Sequence, residues 1–448
     1  MHRNSTTVST KQERIATLAK QSPQMAFTSL AYLMDINWLR EAYRRTRKNG
    51  AVGVDGVTAD DYEQDLEVNL QRLLDRAKSG TYQAPPVRRV HIPKGGSSTE
   101  TRPLGIPTLE DKILQRAIVM LLEPIYEQDF LDCSYGFRPG RSAHDALKSF
   151  RDQTMNCRPR GGSVYEVDIR KFFDNLDHSH LRQFLRLRVR DSVLLRLIDK
   201  WLKAGVMEDG SVSYPESGSP QGGVVSPILS NVFLHYVLDL WFEQEVKPRL
   251  RRGAYLIRYA DDFVIGFRDD HDAQRVMDVV PKRFGKYGLT VHPTKTKLVP
   301  FRPPSSTVRN VPRGDRPGTF DLLGFTHYWA RSLRGYWVVR LKTASDRFSR
   351  AVRSIDSWCR DHRHWSLSEQ QQKLNEKLRG HYAYYGVTGN SEALSRFRWE
   401  VDRRWRKWLN RRNRQRSMTW QPFRRLLQRY PLAPVRTSRS TFRRAAKP

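Results

Sequence analysis

Two short apolar runs, Ala254 to Tyr259 and Phe263 to Phe267, meet at Asp261 and Asp262. Tyr255, Ile257 and Tyr259 alternate with other side chains, as do Phe263, Ile265 and Phe267. A period of two is that of a strand, so the stretch predicts a β-hairpin capped by two adjacent carboxylates. Val164, Tyr165, Val167 and Ile169 predict a further buried strand with Asp168 near its end. Elsewhere the period is helical. Trp38, Leu39, Ala42 and Tyr43 predict a helix that stops before Asn49-Gly50, and a second pattern runs from Asp60 to Lys78. From Val225 the residues Leu229, Val232, Phe233, Tyr236 and Leu240 resume helical spacing, and Phe397, Val401, Trp405, Trp408 and Leu409 share one helical face. The first twenty or so residues are polar and predict a mobile N-terminus. Helical ends around a strand-bearing centre point to the α+β class.

Charge narrows the partners. Lysine and arginine total 79 against 47 acidic residues, a net charge of +32 over 448 residues, and a field of that size attracts polyanions such as nucleic acid. From Arg396 to Pro448 there are 18 lysines and arginines against only Glu400 and Asp402. The arginines fill the helix face opposite the apolar stripe, and a merely solvated face would mix signs, so this face is a candidate RNA surface. No run approaches a membrane span, and Met1-His2-Arg3-Asn4-Ser5 has no apolar signal core, which predicts a cytoplasmic protein without a membrane partner. Cys133, Cys157 and Cys359 are too few and scattered for a disulfide framework or a zinc site and read as packed, reduced thiols. His381 shows no metal-ligand spacing and reads as packing.

The chemistry lies with the aspartates. Two adjacent carboxylates repel, and each raises the other's pKa unless a cation neutralises the pair; hard oxygen ligands on a rigid turn are what Mg²⁺ selects. A surface turn accounts for Tyr259-Ala260-Asp261-Asp262 taken alone. If the strand ending in Asp168 lies beside the hairpin, three carboxylates converge and can hold two divalent ions about 4 Å apart, the geometry of nucleotidyl transfer. His91-Ile92-Pro93-Lys94 and Arg102 flank a Gly95-Gly96-Ser97-Ser98 turn, which places Lys94 and Arg102 on two strands of a hairpin. Gly218-Ser219-Pro220-Gln221-Gly222-Gly223 is an irregular loop whose small residues let backbone approach a base pair closely.

These segments, with Arg102-Pro103-Leu104-Gly105-Ile106-Pro107, Tyr135-Gly136-Phe137-Arg138-Pro139-Gly140 and Leu323-Gly324-Phe325, stand in the order and spacing of a reverse transcriptase. From about Leu39 to about Pro434 the chain resembles the group II intron reverse transcriptase/maturase family. The resemblance implies a right-hand polymerase. An N-terminal extension covers 1–79, fingers and a palm whose antiparallel sheet bears the aspartate triad cover 80–334, and a helical, basic thumb/maturase domain covers 335–448. It implies that Asp168, Ile169, Asp261 and Asp262 hold two Mg²⁺ ions, with Mn²⁺ as a substitute. Lys94 and Arg102 would grip the incoming triphosphate, Gln221 would touch the nascent base pair, Ile169 would also bind the nucleotide, and Phe173 rather than Phe172 would exclude a 2′-hydroxyl. Lys295 would protonate the leaving pyrophosphate, although Lys297 would serve by charge equally well.

Arg138 and Arg141 would contact template phosphates. Arg379, in the thumb signature Leu378 to Gly386, would bind nucleic acid with Arg403, Arg404, Arg411 and Arg412. The implied partners are structured intron RNA, an RNA template with a DNA primer, and dNTPs. The nuclease domain with paired Cys-x-x-Cys sites that many members carry is absent from this sequence, so the chain is not expected to cut a DNA target itself. Three functional readings stay open. They are a polymerase that is also the maturase of its own intron, the same polymerase serving host defence or DNA repair, and a catalytically dead RNA-binding scaffold, against which the intact aspartates argue.

Overall fold

The structure, a computed structural model, describes residues 2–93, 101–156, 161–208, 211–214, 218, 222–304, 317–412 and 418–437. They form two compact units. The first draws on the described residues of Met1–Pro93, Thr99–Ala146 and Val164–Leu298, and the second on those of Leu147–Ser163 and Val299–Pro448. Helices and mainly antiparallel sheets are both present, interleaved along the chain, which is consistent with the α+β expectation.

In the first unit the helix Leu109–Asp129 is buried along most of its length and is the axis on which its neighbours pack. The helix Ile36–Arg45 begins where Asp35 accepts from the Trp38 amide at 2.9 Å, and the Trp38 indole donates to the Ala117 carbonyl at 3.0 Å. The pattern from Asp60 to Lys78 resolves into two helices. Ala59–Glu63 starts at a Thr58/Asp61 capping box, and Leu66–Ser79 ends at Gly80, whose φ of 87° suits glycine.

The expected mobile N-terminus is instead the helix His2–Gln21. Val8, Ile15 and Ala19 are buried, and Gln12 Nε2 donates to the Met120 carbonyl at 2.9 Å. Arg188 anchors its end by donating to the Ala19, Ser22, Pro23 and Met25 carbonyls and pairing with Asp129 at 2.8 Å. An arginine here complements the negative end of the helix dipole.

Three sheets position the rest. One has the antiparallel hairpin Val87–Pro93/Thr101–Ile106, with Ile92 opposite Arg102, extended by Val206–Glu208 and Ser211–Ser213. A second orders its strands Ala254–Tyr259, Asp262–Phe267, Gly162–Val167, Lys297–Phe301. The third, Phe320–Leu322, Phe325–Arg331 and Trp337–Thr343, belongs to the second unit, where Asn390 ties it to the helices by accepting from the Thr343 amide and donating to the Tyr385 carbonyl, each at 2.9 Å.

The second unit's helices bury Phe397, Val401, Trp405, Trp408 and Leu409 as the spacing predicts, and the Trp405 indole donates to Gln370 at 2.9 Å. His381 packs flat on Phe397, ring centroids 3.9 Å apart, and burial pushes its pKa down to about 4. Cys133 and Cys359 are free thiols withdrawn from the surface, and burial pushes Cys359 up to about 12. Cys157 lies outside the described residues. No described helix is long and apolar enough to cross a membrane.

Candidate active site

The predicted hairpin forms, with Tyr259 opposite Asp262, so Ala260 and Asp261 are the two central residues of its turn. Ala260 has φ of 57°, a conformation that favours glycine, in a buried position. Asp261 is half-buried and Asp262 exposed. The strand that begins at Asp262 pairs with the strand Gly162–Val167, after which Asp168 follows directly.

Asp168 is held by the returning chain. Its amide donates to Thr296 Oγ1 at 3.3 Å, its carbonyl accepts from the His292 amide at 2.8 Å, and Ile169 bridges Val291. Lys295 Nζ stands 3.4 Å from Asp168 Oδ2, with the carboxylate 37% exposed. Lys297 turns instead to Glu166, at 3.2 Å. Burial raises the pKa of Asp261; its backbone hydrogen bond and the positive charge of Arg102 oppose the rise, and the Asp168 carboxylate adds to it. Arg102, Asp168 and Asp261 therefore share one electrostatic environment.

The three side chains offer carboxylate oxygens only, Asp262 exposed and Asp168 and Asp261 half-buried, a set that fits a hard divalent cation. Among the described residues, Asp269, His271 and Asp272 are the group of three whose ligand atoms come within 4.8 Å of one another, and the predicted triad is not so tightly drawn. Asp269 caps the helix Asp270–Gly285 by accepting from the Asp272 amide, which accounts for that closeness.

Phe172 is 2% exposed and packs on Phe233, whereas Phe173 is half-buried; both lie in a turn after the strand rather than on it, so the turn and not strand alternation separates the two rings. Lys94 and Gln221 lie outside the described residues. The glycines around Gln221 serve the protein's own backbone. A Cβ on Gly218 would meet the Phe173 and Asp174 carbonyls at 2.8 Å, and one on Gly222 would meet the Gly105 carbonyl at 2.4 Å.

Arg138 is not presented to a template. Its side chain is 3% exposed, pairs with Glu127 at 2.9 Å and donates to the Leu131 and Ser134 carbonyls, so the expected phosphate contact gives way to a buried ion pair. Arg141 is more accessible, paired with Asp132 at 2.6 Å. Arg379 is exposed on the helix Leu367–Tyr385. The C-terminal arginine face mixes signs more than its composition implies. Arg403 and Arg404 lie 3.1 and 3.4 Å from Glu400, and Lys407 pairs with Asp356 at 3.1 Å. Arg412 donates to the Arg363 and Trp365 carbonyls, and Arg411 lies over the Trp408 ring at 4.7 Å.

One buried group has almost no signature in the sequence. Arg258, inside the first hairpin strand, is wholly buried against Asp239. A charged residue amid strand apolar positions is its only sequence signal.

Comparison with known proteins identifies the family. Residues 92–327 match the family described as reverse transcriptase (RNA-dependent DNA polymerase), and residues 348–429 match the group II intron maturase-specific domain. The group II intron-encoded protein LtrA of Lactococcus lactis is 30% identical over 458 residues, spanning 86% of this chain and 75% of that protein. Protein YkfC of Escherichia coli is 37% identical over 288 residues, 58% of this chain and 75% of that one. A 91 kDa protein in the cob intron of Schizosaccharomyces pombe is 28% identical over 319 residues, 60% of this chain and 39% of that protein. The chain belongs to the group II intron reverse transcriptase/maturase family. It is an RNA-directed DNA polymerase with a maturase domain that binds intron RNA.

Proposed function

We propose that Asp168, Asp261 and Asp262 are the metal carboxylates of this polymerase and that the metal is Mg²⁺, with Mn²⁺ able to replace it. The reading rests on one observation: Asp168 directly follows a strand whose sheet neighbour begins at Asp262, and its charge is felt at Asp261. When bound, the two ions supply Lewis acidity, favouring ionisation of the primer 3′-hydroxyl and neutralising the departing pyrophosphate. The protein's own groups do the rest. Arg102, whose positive charge is felt at Asp261, draws the triphosphate toward the carboxylates together with Lys94. Lys295, at Asp168, donates a proton to the pyrophosphate. Phe173 closes the space a 2′-hydroxyl would need, so the product is DNA. The side chain of Ile169 is buried, so its main chain is what it offers beside Asp168. Gln221 contacts the nascent base pair.

We assign the extension to 1–79, fingers and palm to 80–334, and the thumb and maturase domain to 335–448, with an RNA template, a DNA primer and dNTPs as substrates. Arg141, Arg379, Arg403, Arg404, Arg411 and Arg412 supply nucleic-acid contacts. The test is primer extension on an RNA template together with filter binding of the same RNA by Asp168→Ala and Asp261→Ala. Loss of extension with retained binding is expected, because affinity comes from cations spread over a large surface. Extension near the parent rate in either variant removes the assignment.

A further inference from the structure

We propose that Arg258, with Asp239 and Asn231, is the positioning device that fixes the metal-carboxylate turn, a claim that rests on Asp261 being a metal ligand. The guanidinium makes four hydrogen bonds without exposure to solvent. Nε and Nη2 donate to the two Asp239 oxygens at 2.7 and 2.6 Å, and Nη1 donates to Asn231 Oδ1 at 2.9 Å and to the Ala260 carbonyl at 3.1 Å. That last oxygen belongs to the peptide joining Ala260 to Asp261. The fork therefore grips the turn one bond before the carboxylate it presents.

A second segment is tied to the turn by the same network. Asn231 Nδ2 donates to the Gly136 carbonyl at 2.8 Å, and Gly136 lies so close that a Cβ there would stand 2.4 Å from the Ala260 nitrogen. Backbone bonds from Arg258 to the Cys133 carbonyl and from Tyr135 to the Arg258 carbonyl, both 2.8 Å, hold the segment Cys133–Gly136 alongside. Ala260 needs this support, since a non-glycine residue at φ of 57° persists only where its surroundings over-determine it.

A buried ion pair contributes little to stability against an apolar replacement, because desolvation of both charges opposes their attraction. Arg258 and Asp239 are both 0% exposed. What an apolar pair could not supply is the donor fork reaching Asp239, Asn231 and Ala260 at once. Lysine keeps the charge but not the fork, which makes Arg258→Lys the informative change. Arg258 acts through the turn and touches no substrate.

The experiment compares Arg258→Lys and Asn231→Ala with the parent in the full chain. It measures turnover per folded molecule, dNTP KM, filter binding of RNA, and Mn²⁺ affinity by electron paramagnetic resonance without nucleic acid. Each variant is expected to lose about 10- to 100-fold in kcat per folded molecule and to bind Mn²⁺ more weakly, with RNA affinity and KM nearly unchanged. Parental turnover per folded molecule with parental Mn²⁺ affinity in both variants overturns the proposal, even where the folded fraction has dropped. Asp261→Ala is assayed alongside. If it retains synthesis, the metal assignment fails by itself, whatever Arg258 does.

Discussion

Lys295 Nζ lies 3.4 Å from Asp168 Oδ2, and the next lysine, Lys297, goes to Glu166 instead. Lys295 stands in the turn before the strand Lys297–Phe301, whereas Lys297 is the first residue of that strand. Of the two, Lys295 is the one that pairs with Asp168, a proposed metal carboxylate. Lys295→Ala should therefore lower kcat by about 100-fold, in the range of a lost general acid, and Lys297→Ala by no more than about twofold. Single-turnover incorporation of one dNTP by each variant checks this. Equal losses would mean that charge, not placement, is what the site needs.

The two phenylalanines should fail in different ways. Phe173→Ala should raise incorporation of ribonucleotides relative to deoxyribonucleotides, read by competition on one primer-template. Phe172→Ala should cost about 3 to 5 kcal/mol of stability, read by urea denaturation, since its ring is packed on Phe233. A selectivity change confined to Phe172→Ala would reverse the faces.

Asp261 sets a pH dependence whose sign follows from burial. Its pKa is raised in the folded protein, so between the unfolded value of about 3.9 and the folded value the native state holds more protons. Its contribution to stability is then full below the unfolded pKa and is lost as pH rises through the folded pKa. In buffer free of divalent metal, Asp261→Asn should be at least as stable as the parent at pH 7, and that margin should vanish below about pH 4. Added Mg²⁺ should raise the melting temperature of the parent and not of the variant. A parent more stable than Asp261→Asn at pH 7 without metal would contradict the burial argument.

How much of this was legible depends on whether partners were local. The hairpin and its aspartates were, because a period of two and adjacent carboxylates are written in one stretch. The N-terminal helix was not: three apolar positions, Val8, Ile15 and Ala19, make too narrow a stripe to stand out from polar neighbours, and their surface comes from distant segments, the helices Ile36–Arg45 and Leu109–Asp129. Arg138 beside a glycine turn reads as exposed, because Glu127 meets it only once the latter helix has folded. Arg258 and Asp239 are nineteen residues apart on a strand and a helical turn, a pairing that tertiary packing alone creates.

The arginines of the second unit should not be equivalent. Arg403 and Arg404 face Glu400, whereas Arg379 and Arg411 are exposed and have no carboxylate partner among the described residues. Arg379→Gln with Arg411→Gln should weaken binding to structured intron RNA more than Arg403→Gln with Arg404→Gln. It should also reduce the salt slope by about 0.7 to 0.9 for each phosphate no longer neutralised. Binding isotherms across a salt series decide the order, and equal slopes for both pairs would show that internal pairing does not govern which arginines meet RNA.

Asp168, Asp261 and Asp262 together should hold two divalent ions. The most direct measurement is the number of Mn²⁺ ions bound by the protein with an RNA template, a chain-terminated primer and the next dNTP, titrated by electron paramagnetic resonance. The parent should hold two ions beyond those bound by the nucleic acid and nucleotide alone, and Asp261→Ala should hold fewer. An unchanged count in Asp261→Ala would contradict the account.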